Sequence, residues 1–281
     1  MLEEQKLTGG KRAIVDYARK LVINLLIPAF NIIGFAGYAQ LVAHLCALAP
    51  DVLKSRTLTL VDKAMGSHAK KFHYRGSTFL FDCSFCDEHI KDGSYAFGLI
   101  REIFIRDCYL RFHPEAFTNS KTVVDLGANR GVFSVLMANH AKKVVSVEVQ
   151  PVFAPVIAHN MAINGFSNYA TETAFVGYGG DYSGTKGSTI TLDELFDKYS
   201  LEAVDFLKID IEGSEFGLFR SPSWLMRVQR LSMEVHPAFG PPADIIAILK
   251  EHGFSTIITD ETFRVTSGLS QASFIYASRI F

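Results

Sequence analysis

From residue 121 the chain changes character. Short apolar runs begin to alternate with stretches in which apolar residues recur every three or four positions. The runs at 122–126, 143–149, 170–176, 204–211 and 230–235 have strand length and strand composition. The stretches at 132–140, 152–164, 191–199, 214–219 and 243–252 have helical spacing. Asn164-Gly165 and Gly253 sit where helices stop. Such alternation predicts parallel strands joined by helical crossovers, with helices on both faces of the sheet. Runs 255–259 and 273–278 lack a helix between them, so the last strand should pair antiparallel. The expected architecture is an α/β, Rossmann-like, mostly parallel sheet over residues 121–281.

The region before it reads differently. Residues 72–74 and 77–82 flank Arg75-Gly76, a hairpin signal. Residues 90–110 carry helical spacing (Ala96, Leu99, Ile100, Ile103). Residues 67–120 are therefore expected to form an accessory hairpin and helices. Residues 1–66 are expected to be an apolar helical N-terminal extension. No Asp, Glu, Lys or Arg occurs from residue 21 to residue 50, and Lys11, Arg12, Arg19 and Lys20 precede that stretch. About 20 apolar residues suffice to cross a bilayer. Asn24, Pro28, Asn31, Gln40 and His44 interrupt this stretch. A spanning helix, a helix lying in the membrane interface and a buried helical pair all remain open.

Composition narrows the class. The chain has 281 residues, 48% hydrophobic and 20% charged, with a net charge of −1. It lacks the basic stripe of a nucleic-acid binder, so no nucleic-acid partner is expected. Mean hydropathy is +0.18, high for a soluble chain, and the apolar stretch accounts for the excess. Four cysteines are too few for a disulfide scaffold. Cys83-x-x-Cys86 has His89 nearby but no second ligand pair, and reads as a reduced pair of a cytoplasmic protein.

The chemistry concentrates at strand ends. The first strand runs into Asp125-Leu-Gly127-Ala-Asn129-Arg-Gly131. Glycines here let a ligand approach the backbone, outside the carboxyl ends of the strands. A dinucleotide site wants G-x-G-x-x-G, and this loop lacks its second glycine. An NAD-dependent oxidoreductase is thereby disfavoured. Asp125 suits a cofactor with ammonium and sulfonium charges, as in S-adenosylmethionine. Glu148 follows Gly127 by 21 positions, ending the second strand, where a carboxylate can accept both ribose hydroxyls. Asp125, Gly127, Asn129, Gly131, Glu148 and Asp210 are the expected cofactor residues.

In the fourth strand, Lys208, Asp210 and Glu212 alternate onto one side if it stays extended. Glu234 and His236 end the fifth strand. The expected catalytic set is His236, Asp210, Glu212 and Glu234, with His236 the best base by its ordinary pKa. Glu212 and Glu215 have a plainer reading as acids at a helix start. Asp210, Glu234 and His236 could also hold Mg²⁺, but hard cations prefer all-oxygen ligands, and no metal ligand is assigned.

VVDLGANRGVFS at 123–134, EVQPVFAPVIAHNMAINGF at 148–166, TLDEL at 191–195 and VDFLKIDIEGSEFGLF at 204–219 together resemble the FkbM-type methyltransferase family. The resemblance covers roughly residues 95–280. It implies a class I methyltransferase fold and S-adenosylmethionine-dependent methylation of a hydroxyl on a sugar, glycolipid or polyketide-like acceptor. The apolar extension is not part of that pattern. The Gly177–Gly180 loop matches no known pattern, which leaves the adenine contact open. A non-catalytic scaffold that keeps the fold and binds a membrane through residues 21–50 is the competing expectation. Acceptor identity and oligomeric state are not set by the sequence.

Overall fold

The computed structural model describes residues 21–66, 69–177 and 188–279. Two compact units meet in the sequence at Asp107 and Cys108.

The first unit builds its core on aromatic residues. Strands β1 (Ala69–Tyr74) and β2 (Ser77–Asp82) form an antiparallel hairpin. Arg75 and Gly76 turn it with φ of 47° and 84°, the left-handed pair that a two-residue turn between twisted strands demands. Phe72, Phe79 and Phe81 are buried and ring Phe104 at 5.5–5.8 Å. That ring cluster ties the hairpin to the helical segment that follows it. The N-terminal helix opens with a π-helical turn, Val22–Leu26, and continues as Ile27–Ala47. Gly34 breaks its regularity with φ 65° and ψ 177°. Cys83 and Cys86 lie buried on the helix Cys83–His89 as free thiols, and burial pushes the Cys83 thiol up.

The second unit holds an eight-stranded sheet. Its strands are β3 (Thr122–Leu126), β4 (Lys143–Glu148), β5 (Tyr169–Val176), β6 (Ser188–Ile190), β7 (Phe206–Ile209), β8 (Arg230–Glu234), β9 (Phe254–Thr259) and β10 (Phe274–Arg279). Their spatial order is β6-β5-β4-β3-β7-β8-β10-β9. All pairs are parallel except those of β10, which inserts between β8 and β9 antiparallel to both. This is the class I methyltransferase sheet, with the added edge strand β6. The order reverses between β3 and β7, a switch point that opens a crevice at the strand ends.

Side-chain alternation splits the sheet into two unlike faces. One face is wholly apolar: Val124, Leu126, Val145, Val147, Leu207 and Ile209 pack with Leu195 and Trp224. The other carries a buried polar row. Register aligns Ser146 with Asp125, Asp125 with Lys208 and Lys208 with Ser232. All four are at most 3% exposed. The segment after Cys108 covers this face: Ser232 Oγ donates to the Tyr109 carbonyl (2.7 Å), and Tyr276 Oη to the Cys108 carbonyl (2.6 Å).

The fourth strand is shorter than its sequence suggests. It ends at Ile209, and Glu212 has a left-handed φ of 52°. Lys208, Asp210 and Glu212 therefore do not line one side of a strand. The expected run 204–211 overshoots because Asp210-Ile-Glu212-Gly213 is a turn whose residues keep strand-like alternation. β6 carries no sequence signal beyond its Thr and Ile.

Candidate active site

The site is built where the loop after β3 meets the turn after β7. The Gly127 and Ala128 N–H groups both donate to the Val147 carbonyl at 3.0 Å, and the Asp210 N–H donates to the Leu126 carbonyl. Gly127 has a φ of 72°, and a Cβ there would lie 1.7 Å from the Asp210 carbonyl oxygen. No other residue fits.

Beneath the loop, Lys208 is the central charge. Its Nζ lies 3.1 Å from Asp125 Oδ1 and 3.7 Å from Asp210 Oδ2. It donates to the carbonyls of Leu126 (3.2 Å) and Gly127 (2.6 Å). Burial alone would discharge it, but the Asp125 and Asp210 carboxylates outweigh burial and raise its pKa. Asp125 has no exposed surface. Its other oxygen accepts from Ser134 Oγ at 2.6 Å, and Ser134 Oγ in turn accepts from Ser146. Asp125 thus faces Lys208 and Ser134 inside the sheet. The expectation that it touches a cofactor directly is corrected on this geometry: it can act only through the loop.

Glu148 ends β4 opposite the loop. Its Oε2 accepts from the Asn129 N–H (3.0 Å) and its Oε1 from the Gln150 N–H (3.1 Å). Burial raises its pKa, and the backbone donors oppose the rise. Asn129 adopts φ 49°, and that turn presents its N–H to Glu148. Gly131 closes the loop in a left-handed conformation, with Ile157 against it.

Across the crevice, Tyr109 Oη donates to Asp210 Oδ2 at 2.8 Å. Burial and then the Asp210 charge hold its phenol well above the usual range. His236 follows β8 and is fixed by Glu215, a fully buried acid. Glu215 Oε1 accepts from both the His236 main-chain N–H (2.7 Å) and Nδ1 (3.1 Å); its Oε2 accepts from the Gly213 N–H (2.8 Å). Glu212 Oε2 sits 3.4 Å from His236 Nε2. The hydrogen bonds to Glu212 and Glu215 push His236 up to about 10. At neutral pH the imidazole is therefore a cation, and the ordinary pKa that recommended it as a base does not hold here. The His236 contact lowers Glu212 in return.

Asp210, Glu212 and His236 bring one ligand atom each within 4.8 Å of one another. Among the described residues this is the group spaced to hold a cation. Its third member is Glu212, where Glu234 was expected. Glu234 ends β8 beside Phe274, and its charge helps raise Tyr109.

The model of the methyltransferase FkbM domain matches residues 125–256. Over these residues the chain is similar to the FkbM methyltransferase family. A relative of Streptomyces tacrolimicus, the 31-O-demethyl-FK506 methyltransferase FkbM, is 23% identical over 60% of this chain and 85% of its own. Among solved structures, an rRNA methylase of Streptococcus thermophilus matches at a TM-score of 0.41 and 12% identity, covering 59% of this chain and 91% of that one. A ribosomal protein L11 methylase of Lactobacillus delbrueckii subsp. bulgaricus matches at 0.41 and 15%, covering 60% and 74%.

Sequence reasoning passed over three residues of this site. Tyr109 lies before the alternating region and carries no motif. Glu215 reads as an acid at a helix start. Lys208 was noticed but given no role, although a lone lysine inside the apolar run Phe206–Ile209 was signal enough. Of the Gly177–Gly180 loop, residues 178–180 lie outside the described residues.

Proposed function

We propose that this chain is an S-adenosylmethionine-dependent O-methyltransferase acting on a hydroxyl of a sugar, glycolipid or polyketide-like small molecule. The observation that carries the reading is the glycine cradle: Gly127 lies bare against the Asp210 carbonyl, with Glu148 across the loop. The residues suit that cofactor. Each Glu148 oxygen spends one acceptor site on a backbone N–H and keeps another for ribose hydroxyls. Asp210 supplies the carboxylate for a cationic ligand that Asp125 cannot. The cofactor, when bound, supplies an electrophilic methyl group. The relative's name, with its 31-O-demethyl substrate, supports an oxygen acceptor.

The chain's own residues must then orient the acceptor and take its proton. His236 is our candidate proton acceptor. Glu215 fixes its ring, and Glu212 holds it charged until an acceptor displaces that exposed carboxylate. Activity should therefore climb with pH well above 6.5. Asp210, steadied by Tyr109, aligns the hydroxyl. The test is calorimetric titration of S-adenosylmethionine into wild type and Glu148→Gln. Micromolar binding that weakens about tenfold or more in the variant supports the reading. No binding by folded wild type refutes it.

A further inference from the structure

We infer that the N-terminal helix is an in-plane membrane anchor: the segment around Phe30 and Phe35 inserts into the headgroup boundary of an anionic lipid surface without crossing it. The inference concerns the first unit alone and does not depend on the methyl-transfer reading.

The helix has a buried and an exposed face; the first is apolar, and on the second Asn31 is the one polar residue described as exposed between residues 22 and 35. Leu25, Ala29 and Ile33, spaced four apart, are buried, as is Leu41. The outer face of a surface helix should carry charge. Here it carries Val22, Ile23, Ile27, Phe30 and Phe35, at 46%, 51%, 66%, 49% and 77% exposure. No ionisable Asp, Glu, Lys or Arg relieves that face between residues 21 and 50. Large apolar side chains standing together in water mark an interaction surface.

The occupant is chosen by charge and by geometry. Lys11, Arg12, Arg19 and Lys20 precede the apolar face, with Asp16 the one acid among them. A basic run next to exposed Phe and Ile is the pairing that anionic lipid attracts. Ile27–Ala47 is long and apolar enough to cross a bilayer, but three features oppose crossing. Gly34 breaks the helix between Phe30 and Phe35. Gln40, well inside the helix, accepts from Lys70 Nζ at 3.2 Å, so a charged strand lies against the part that would sit deepest. Beyond Phe35 the exposed positions are Ala36, Ala39, Gln40, Ala43, Cys46 and Ala47, with no large anchor among them. Insertion is thus confined to residues 22–35.

The experiment floats the full chain with vesicles of phosphatidylcholine, with and without phosphatidylglycerol. Wild type should float with the anionic vesicles, lose that on added salt, and be released by alkaline carbonate. Phe30→Asp with Phe35→Asp should cut partitioning at least about tenfold, with far-UV circular dichroism unchanged. Phe35→Trp keeps the test independent of that variant's folding. Its emission, read against wild type with its single Trp224, should shift to the blue on vesicle addition. Carbonate resistance with a protease-protected fragment would replace the in-plane anchor with a span. Absence of flotation and of a blue shift, or a protein dimer that the double variant splits, would overturn membrane binding itself. Cofactor titration on the same samples separates these outcomes from failure of the enzymatic reading.

Discussion

Replacing Lys208 by Met removes the cation that lies beneath the Gly127–Gly131 loop. Lys208 is 3% exposed and Asp125 fully buried, 3.1 Å apart. The variant would leave Asp125 buried with Ser134 as its remaining donor and remove the Lys208 donor from the Gly127 carbonyl, while the Leu126 carbonyl keeps the Asp210 N–H. Breaking a buried pair from one side costs about 3–5 kcal/mol, which for a unit of this size lowers Tm by roughly 6–20 °C. Against a typical stability of about 5–15 kcal/mol that is a large fraction. Asp125→Asn should cost a comparable amount. The decisive measurement is the double variant. With both charges gone neither is stranded, so its loss should fall below the sum of the singles by at least about 1 kcal/mol. Urea unfolding followed by Trp224 fluorescence reports on the second unit, since Trp224 is the only tryptophan and is buried there. Additive losses, or single losses below about 1 kcal/mol, would refute the claim that this pair organises the loop.

Three further outcomes can be checked directly. Gly127→Ala forces a Cβ onto the Asp210 carbonyl; thermal unfolding should show a cost of about 1–3 kcal/mol or more, and calorimetry should show cofactor binding lost. Protonated His236, raised from 6.5 to about 10, stabilises the fold fully below pH 6.5, and this contribution disappears as pH climbs through about 10; His236→Gln should flatten the fall in Tm between those limits, and an unchanged slope would count against it. Thr191 caps the helix Leu192–Lys198 in a reciprocal box with Glu194, so Thr191→Ala should cost about 1 kcal/mol by urea unfolding.

Much of the second unit was legible because its sequence repeats one physical compromise. VVDL, VVSV, FLKI and LSM are buried strand segments, each interrupted by a single polar residue. The apolar positions announce strands, and the loop Gly127–Gly131 with Glu148 announces a ligand. What alternation could not reveal was where a strand stops. Asp210-Ile-Glu212 keeps the strand's polar–apolar beat through a turn, so Glu212 was drawn onto the wrong side. Asp125 was misjudged for a related reason. A carboxylate beside a glycine loop looks exposed in one dimension, and only the lateral register shows Lys208 beside it. Tyr109 and Glu215 act across 101 and 21 positions, distances over which local pattern is silent.

The polar row also explains why the site is placed where it is. Charge inside a sheet is tolerable only when every member has a partner. Ser146, Ser134, Asp125 and Lys208 satisfy one another in a chain, and Lys208 passes its remaining donors upward to the Leu126 and Gly127 carbonyls. The loop is thus held from below by the strand core, in addition to the Arg130–Asn129 side-chain contact within it. Gly127 lets the loop close directly on the Asp210 carbonyl, so the loop does not need a ligand to hold its shape. The opposite wall is made the same way: Glu215, itself buried, fixes the Gly213 and His236 backbones together. A Glu215→Gln variant separates positioning from packing. It keeps the volume but weakens the acceptor for His236 Nδ1, so His236 should titrate lower than about 10. Under the proposed chemistry the alkaline rise in activity should move to lower pH. A variant with reduced activity but an unmoved pH profile would leave Glu215 a packing residue and remove His236 as the proton acceptor.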